Sequence, residues 1–173
     1  SKAKILVTAS CGYEPSRTVH YKPLVNKALE LANHKPEKCI IFQREKDKAD
    51  LNPKIDITWE DAHKGAKSTE CEKMNSNDYA YILYTSGTTG LPKGIVRDIG
   101  GHIVALKWTM KNIYNIEPDD VWWSASDIGW IVGHSYIVYA PLFYGCTTVL
   151  FEGKPVGTPD AGVFWRIISE YKI

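Results

Sequence analysis

One segment of eleven residues constrains the chain more than any other: Tyr84-Thr85-Ser86-Gly87-Thr88-Thr89-Gly90-Leu91-Pro92-Lys93-Gly94. It follows an apolar run and combines Ser and Thr hydroxyl groups, glycines and one lysine. Glycines let backbone N–H groups approach a ligand closely, hydroxyl groups add donors, and lysine adds a full positive charge. The segment therefore favours a loop that holds phosphate oxygens, and we call residues 85–93 the phosphate loop.

Two other interpretations compete with phosphate binding. A cluster of Ser, Thr and Gly after a strand is often a plain turn, judged by residue types alone. A Walker A loop requires G-x-x-x-x-G-K-[ST], whereas here Lys93 follows Pro92 and precedes Gly94. The order of the residues therefore excludes the Walker A motif.

The composition is that of a globular chain with one core of ordinary domain size: 173 residues, 44% hydrophobic and 12% aromatic. The formal charge of +1 makes nucleic acid and anionic membrane poor candidates as partners. Four cysteines occur without a C-x-x-C pair, so we predict no zinc site, no disulfide framework and a reducing compartment. No apolar run reaches the roughly eighteen residues that predict a membrane span.

The hydrophobic pattern predicts alternating strands and helices. Strands are expected at residues 4–9, 38–42, 79–85, 121–123 and 146–151, several of them apolar on both faces. Helices are expected at 23–33, with Leu24, Ala28 and Leu31 on one face, and at 101–114, with Ile103, Leu106, Met110 and Ile113 on one face. Residues 44–56 are predicted to form an exposed connection. The fold class is therefore α/β, with parallel sheet flanked by helices.

The segment 84–94, which contains the phosphate loop, resembles at every position the signature [YF]-T-S-G-[ST]-T-G-x-P-K-G of the adenylate-forming superfamily. Downstream, Ser126-Asp127-Ile128-Gly129-Trp130-Ile131-Val132-Gly133-His134-Ser135-Tyr136 resembles the acyl pocket of short-chain acyl-CoA synthetases, and Phe151-Glu152-Gly153-Lys154-Pro155 continues the pattern. Upstream, residues 7–12 together with Glu14-Pro15-Ser16-Arg17 resemble their CoA-binding region. The resemblance covers nearly the whole chain and implies a mixed or parallel sheet flanked by helices.

The resemblance implies a two-step ligation of acetate or propionate to CoA. The carboxylate attacks the α-phosphorus of ATP to give an acyl-adenylate, and the CoA thiol then displaces AMP. Thr85 and Lys93 are implied as catalytic residues. Ser86, Gly87, Thr88, Thr89 and Gly90 are implied to bind the β- and γ-phosphates. ATP, CoA and Mg²⁺ are the expected cofactors, although no magnesium ligand is identifiable in the sequence.

The resemblance also assigns the acyl and CoA contacts. Trp130, Ile131, Val132 and Gly133 are implied to line a small acyl pocket, although a tryptophan in such a region is often core packing. Related acetate-preferring enzymes commonly carry threonine where Val132 stands, which favours a slightly longer acid. Glu14, Pro15, Ser16 and Arg17 are implied to contact CoA, with Arg17 against its 3′-phosphate. His134 is expected to be structural, because no partner carboxylate is identifiable.

The family's later motifs and its small C-terminal domain have no counterpart in residues 1–173. We therefore expect a fragment of the N-terminal AMP-binding domain, truncated at both ends and inactive by itself. A non-catalytic nucleotide- or partner-binding fragment and a ligase for a different carboxylate remain alternatives. The resemblance implies the mitochondrial matrix, with the cytosol as the alternative.

Overall fold

Two compact units make up the chain. The computed structural model describes residues 2–87, 90–154 and 157–173. The first unit is formed by Ser1–Glu70 and Gly153–Asp160, and the second by Cys71–Glu152 and Ala161–Ile173. Both units mix strands and helices, which confirms the predicted α/β class.

Among its described residues, the first unit contains five strands and two helices. In chain order they are β1 (Ile5–Ala9), β2 (Cys11–Glu14), β3 (Arg17–His20), α1 (Tyr21–Leu31), β4 (Lys38–Phe42), β5 (Asp56–Thr58) and α2 (Trp59–His63). β1, β4 and β5 form a parallel sheet in that order, whereas β2 and β3 form an antiparallel hairpin. The parallel sheet was predicted; the hairpin and β5 were not.

The burial of this sheet is one-sided, contrary to the expectation of strands buried on both faces. Cys39 and Ile41 of β4 are fully buried, but Ile5 and Val7 of β1 are more than half exposed. The predicted exposed connection 44–56 is also wrong at its end, because Asp56 is buried and begins β5.

A buried ion pair attaches α1 to the sheet. The Lys22 ammonium lies 2.6 Å from the Asp56 carboxylate, with the two side chains 7% and 0% exposed. Lys22 also donates to Asn26 Oδ1 at 2.7 Å, and the other Asp56 oxygen lacks a hydrogen-bond partner among the described residues. The predicted apolar face of this helix was wrong, because Leu24 and Leu31 are exposed while Lys22 is buried. The long-range pair with Asp56 determines which face packs.

Replacing Lys22 by methionine should destabilise the parallel sheet by about 3–5 kcal/mol, because it leaves the buried Asp56 carboxylate without a counter-charge. Amide hydrogen exchange of β1, β4 and β5 measures this loss. The matched control is Lys27→Met on the same helix, which removes an exposed pair with Glu30 and should cost less than about 1 kcal/mol. Equal losses in the two variants would contradict the role of the buried pair.

The second unit contains four strands, four α-helices and one π-helix among its described residues. In chain order they are β6 (Tyr79–Thr85), β7 (Lys93–Asp98), α3 (Ile99–Asn112), β8 (Val121–Trp122), α4 (Ile131–Gly133), the π-helix (His134–Tyr139), α5 (Ala140–Tyr144), β9 (Thr147–Thr148) and α6 (Val163–Tyr171). β6 pairs with β7 in antiparallel orientation, which corrects the prediction of a parallel strand there. β8 and β9 pair in parallel.

The core of the second unit lies between α3 and α5. Leu106 and Met110 of α3 are buried against Ala140 and Cys146, with several aromatic rings packed around them. Ile113, expected on the buried face, is exposed because α3 ends at Asn112. The predicted strand at 146–151 is reduced to Thr147–Thr148, since only these residues pair with β8. No helix in the described part of the chain is both long and apolar enough to cross a membrane.

Candidate active site

The phosphate loop lies at the turn of the β6–β7 hairpin. β6 ends at Thr85, β7 begins at Lys93, and these two residues are paired directly across the hairpin. Within the turn, the Gly90 N–H donates to the Gly87 carbonyl oxygen at 3.0 Å. Ser86 is exposed beside them. Strand pairing thus brings the two predicted catalytic residues together, while Thr88 and Thr89 lie outside the described residues.

Gly87 lies close to the side-chain stem of Lys93 and to the backbone of Leu91. A Cβ atom added at Gly87 would lie 3.3 Å from Cγ of Lys93 and would collide with the carbonyl oxygen of Leu91. Any residue other than glycine would therefore push apart the two arms of the turn. The glycine keeps the lysine stem and the backbone of the turn in close contact.

A tight turn precedes α4. The Asp127 carboxylate accepts a hydrogen bond from the Gly129 N–H at 2.7 Å. The backbone carbonyl oxygen of Asp127 accepts a second one from the Trp130 N–H at 3.0 Å. Gly133 is buried against this turn, and an added Cβ would collide with the Asp127 carbonyl oxygen. Gly133 therefore allows the turn to pack onto α4.

A groove of about 430 Å³ separates α3 from α4 and the π-helix, and we call it the α3 groove. Its lining residues are Arg97, Asp98, Gly101, His102, Ala105, Leu106, Ile131, Val132, Ser135 and Tyr136. The predicted acyl residues Ile131 and Val132 are thus brought together in it. Trp130 does not line this groove. It is 51% exposed and lines a separate depression with Ser126, Asp127 and Gly129.

Hydrogen bonds fix both walls of the α3 groove. The Asp98 carboxylate caps α3 by accepting from the Gly101 N–H at 2.8 Å. On the other wall, the Tyr136 hydroxyl donates a hydrogen bond to Thr109 Oγ1 at 3.0 Å. The backbone carbonyl oxygen of Tyr136 accepts one from the Trp122 indole N–H at 2.7 Å. The groove is therefore formed by side chains and backbone that are held in place before any ligand binds.

The polar end of the groove carries one cation and one buried imidazole. Nε of Arg97 is buried and has no hydrogen-bond partner among the described residues. His102 is 8% exposed, and its Nε2 lies 3.2 Å from the Tyr81 hydroxyl. Burial lowers the pKa of His102, the positive charge of Arg97 lowers it further, and Asp98 opposes the shift. The imidazole is therefore neutral at pH 7.

Because the pKa of His102 is lowered in the folded chain, the unfolded chain takes up a proton first as the pH falls. The free energy of unfolding should therefore decrease as the pH is lowered from 7 through about 6.5, the usual histidine pKa, towards 5. In His102→Gln this decrease should become smaller. Urea titrations at several pH values measure the difference, and parallel profiles for the two proteins would contradict it.

The predicted CoA contacts lie at the tip of the β2–β3 hairpin. Glu14 and Arg17 are paired across it, with Pro15 and Ser16 between them. Arg17 Nε donates to the Glu14 carboxylate at 2.7 Å, and the Arg17 side chain is 70% exposed. This hydrogen bond and the charge of Arg17 lower the pKa of Glu14, while Glu14 raises the pKa of Arg17. A second cation, the Lys154 ammonium, lies 4.0 Å from the same carboxylate.

Several other reactive side chains are held in structural roles. The His134 ring contacts Tyr81 and Tyr139 edge-on, at centroid distances of 4.8 and 5.3 Å. Burial raises the pKa of the Cys146 thiol, which keeps it protonated. In the described ranges, no three His, Cys, Asp or Glu side chains come together to hold a metal ion.

Sequence reasoning missed the α3 wall of the groove, including Arg97, His102 and Ala105. One signal was available: Asp98 directly precedes the helical pattern, as an N-cap residue does. Use of this N-cap signal would have placed the start of α3 at Ile99 instead of residue 101. Arg97 would then have been placed at the junction of β7 and α3.

A family model described as AMP-binding enzyme matches residues 1–173. The chain belongs to this family. It is 53% identical over 173 residues to human acyl-CoA synthetase short-chain family member 3, mitochondrial, covering 99% of this chain and 25% of that protein. It is 40% identical over 176 residues to the propionate–CoA ligase of Salmonella typhimurium, covering 100% of this chain and 28% of that protein.

The fold of this AMP-binding chain is also found among solved structures. Acetoacetyl-CoA synthetase from Streptomyces lividans matches 95% of this chain and 24% of its own chain, with a TM-score of 0.80 and 25% identity. The AMP-binding chain therefore spans about a quarter of the length of the relatives it matches.

Proposed function

We propose that this chain is part of a longer AMP-forming ligase that joins a short-chain carboxylate, propionate or acetate, to CoA. The single observation that supports this most is the β6–β7 turn, where Thr85 and Lys93 are paired at the ends of the phosphate loop. The relatives named for short-chain acyl-CoA synthesis and propionate ligation support the substrate class.

In the proposed first step, a carboxylate oxygen forms a bond to the α-phosphorus of ATP. The bond from that phosphorus to the bridging oxygen breaks, and pyrophosphate leaves with the electron pair. Lys93, the Thr85 and Ser86 hydroxyl groups and the N–H groups of the turn stabilise the charge that accumulates on the departing phosphates. Thr88 and Thr89 are proposed to add donors to the same loop.

In the proposed second step, the CoA thiol sulfur attacks the acyl carbonyl carbon, AMP leaves with the electron pair, and the thiol proton is released. Arg17 holds the 3′-phosphate of CoA, since its guanidinium has several donors beyond the one used by Glu14. A carboxylate offers no donor to phosphate, so Glu14 orients Arg17, while Pro15 and Ser16 form the turn between them. By likeness to the mitochondrial relatives, we place the ligase in the mitochondrial matrix.

Lys93→Ala in the full-length ligase should lower ATP–pyrophosphate exchange by about 100-fold or more, because one charge-stabilising donor is lost from the transition state. The control is Lys73→Ala, an exposed lysine outside the strands and helices, which should exchange at the wild-type rate. Exchange at the wild-type rate in Lys93→Ala would refute the phosphate role of this residue.

Arg17→Glu should raise the KM for CoA by about 10-fold or more, because the reversed charge repels the 3′-phosphate. Exchange in the absence of CoA should be unaffected, since it reports only the first step. The control Lys67→Glu reverses another exposed charge of the first unit and should leave both parameters unchanged. Loss of exchange in Arg17→Glu would contradict a role confined to CoA.

A further inference from the structure

The β2–β3 hairpin has different contacts on its two faces. Tyr13 is paired with Thr18 and Glu14 with Arg17, and directly opposed residues of an antiparallel pair project to the same face. Because side chains alternate along a strand, Tyr13 projects to the face opposite Glu14 and Arg17. The hairpin thus carries its proposed CoA contacts on one face and Tyr13 on the other.

A short turn at residues 44–47 packs against the Tyr13 face, and we call it the 44–47 turn. Arg44 and Asp47 form an isolated bridge across it. The Arg44 guanidinium lies 3.7 Å and the Lys46 ammonium 4.7 Å from the centroid of the Tyr13 ring. The Lys46 backbone N–H donates to the Tyr13 hydroxyl at 3.3 Å. Tyr13 is therefore held by two cations and one backbone donor of the same turn.

Two further contacts join the 44–47 turn to the root of the hairpin. The hydroxyl of buried Ser10 donates to the Asp47 carbonyl oxygen at 2.6 Å and accepts from the Arg44 N–H at 2.9 Å. Nδ1 of His20, the last residue of β3, donates to the Asp47 carboxylate at 2.7 Å. The turn therefore contacts the hairpin both at its root and close to its tip.

A side-chain amide holds the segment that contains the 44–47 turn in shape. Gln43 Nε2 donates to the Ala49 carbonyl oxygen at 2.9 Å, and the Ala49 N–H donates to Gln43 Oε1 at 2.9 Å. A two-stranded hairpin is only marginally stable by itself in water, so its position depends on what it packs against. The 44–47 turn provides a preformed support on the face that the proposed CoA contacts do not use.

We propose that the 44–47 turn holds the β2–β3 hairpin where Arg17 reaches the 3′-phosphate of CoA, and that Tyr13 is the positioning residue. The inference rests on the proposed ligase function and adds to it a residue on the face opposite the CoA contacts. Its physical basis is preorganisation, because a ligand binds more weakly when only a fraction of the protein is in the binding-competent conformation.

The first test measures thioester formation by the full-length ligase with CoA and with dephospho-CoA, which lacks the 3′-phosphate. Tyr13→Leu should raise the KM for CoA by about 10-fold, because two cation–π contacts are lost and the competent position of the hairpin is less populated. The kcat and the KM for dephospho-CoA should stay within about twofold of the wild-type values, because neither depends on the 3′-phosphate contact.

Two variants serve as controls for Tyr13→Leu. Tyr13→Phe keeps the ring beneath both cations and should recover most of the wild-type KM for CoA. Phe42→Leu removes another aromatic ring of the first unit, one that packs edge-on against Trp59, and should leave the KM for CoA unchanged.

The second test determines whether Tyr13 acts through Arg17. Arg17→Gln removes the charge that is proposed to hold the 3′-phosphate. If Tyr13 only positions Arg17, the double variant should have the same KM for CoA as Arg17→Gln alone, because the effects of coupled residues are not additive. Multiplication of the two single effects would overturn the positioning role.

Should Tyr13→Leu fail to fold, judged by circular dichroism, the cation over its ring decides the matter. Arg44→Gln removes the charge nearest the ring and should raise the KM for CoA by about fivefold. Lys48→Gln removes an exposed charge of the same segment and is the matched control, with an expected KM for CoA within about twofold of the wild-type value. Equal KM values for these two variants would contradict the proposal.

The positioning role is also overturned if Tyr13→Leu and Tyr13→Phe have the same KM for CoA, or if Tyr13→Leu raises the KM for CoA and for dephospho-CoA equally. A wild-type ligase that forms no thioester would overturn the proposed function itself. An active wild type whose Tyr13→Leu variant keeps the wild-type KM for CoA would overturn the positioning role alone.

Discussion

The candidate site depends on the antiparallel pairing of β6 with β7. The register pairs Thr85 with Lys93 at the phosphate loop and Tyr81 with Arg97 near the α3 groove. A slip of one residue would move Lys93 and Arg97 to the opposite face, because the side-chain period of a strand is two. The hairpin thus fixes the relative positions of Thr85 and Lys93, on which the proposed chemistry relies, and Asp98 continues β7 directly into α3.

The two units differ in how their buried charged groups are compensated. In the first, a buried ammonium and carboxylate compensate each other between Lys22 and Asp56, and an exposed Arg17 shares the carboxylate of Glu14. In the second, Arg97 has a buried Nε without an acceptor among the described residues, beside an imidazole kept neutral by burial. Removing either partner of a buried ion pair leaves an uncompensated charge, so the Lys22–Asp56 pair holds α1 on the sheet.

Local pattern predicted β4 and β6 to the residue, because apolar runs bounded by turns determine strands locally. The local pattern did not predict those features whose structure depends on residues distant in the sequence. The packed face of α1 depends on Asp56, the orientation of β6 depends on its pairing with β7, and the α3 wall depends on packing against α5 and the π-helix. Motif resemblance predicted the phosphate loop and an acyl role for Trp130, Ile131 and Val132, and the structure places Ile131 and Val132 in one groove. It could not show that Trp130 lies apart from them, because the Asp127 turn that separates them is a feature of three-dimensional packing.

The most direct test of the proposed ligase function is the nucleotide product that the full-length protein forms with ATP, CoA and each of a panel of carboxylates. The account predicts AMP and pyrophosphate in equal amounts with the thioester, formed best with acids of two to four carbons. Formation of ADP and phosphate, or thioester formation only with aromatic acids, would contradict it.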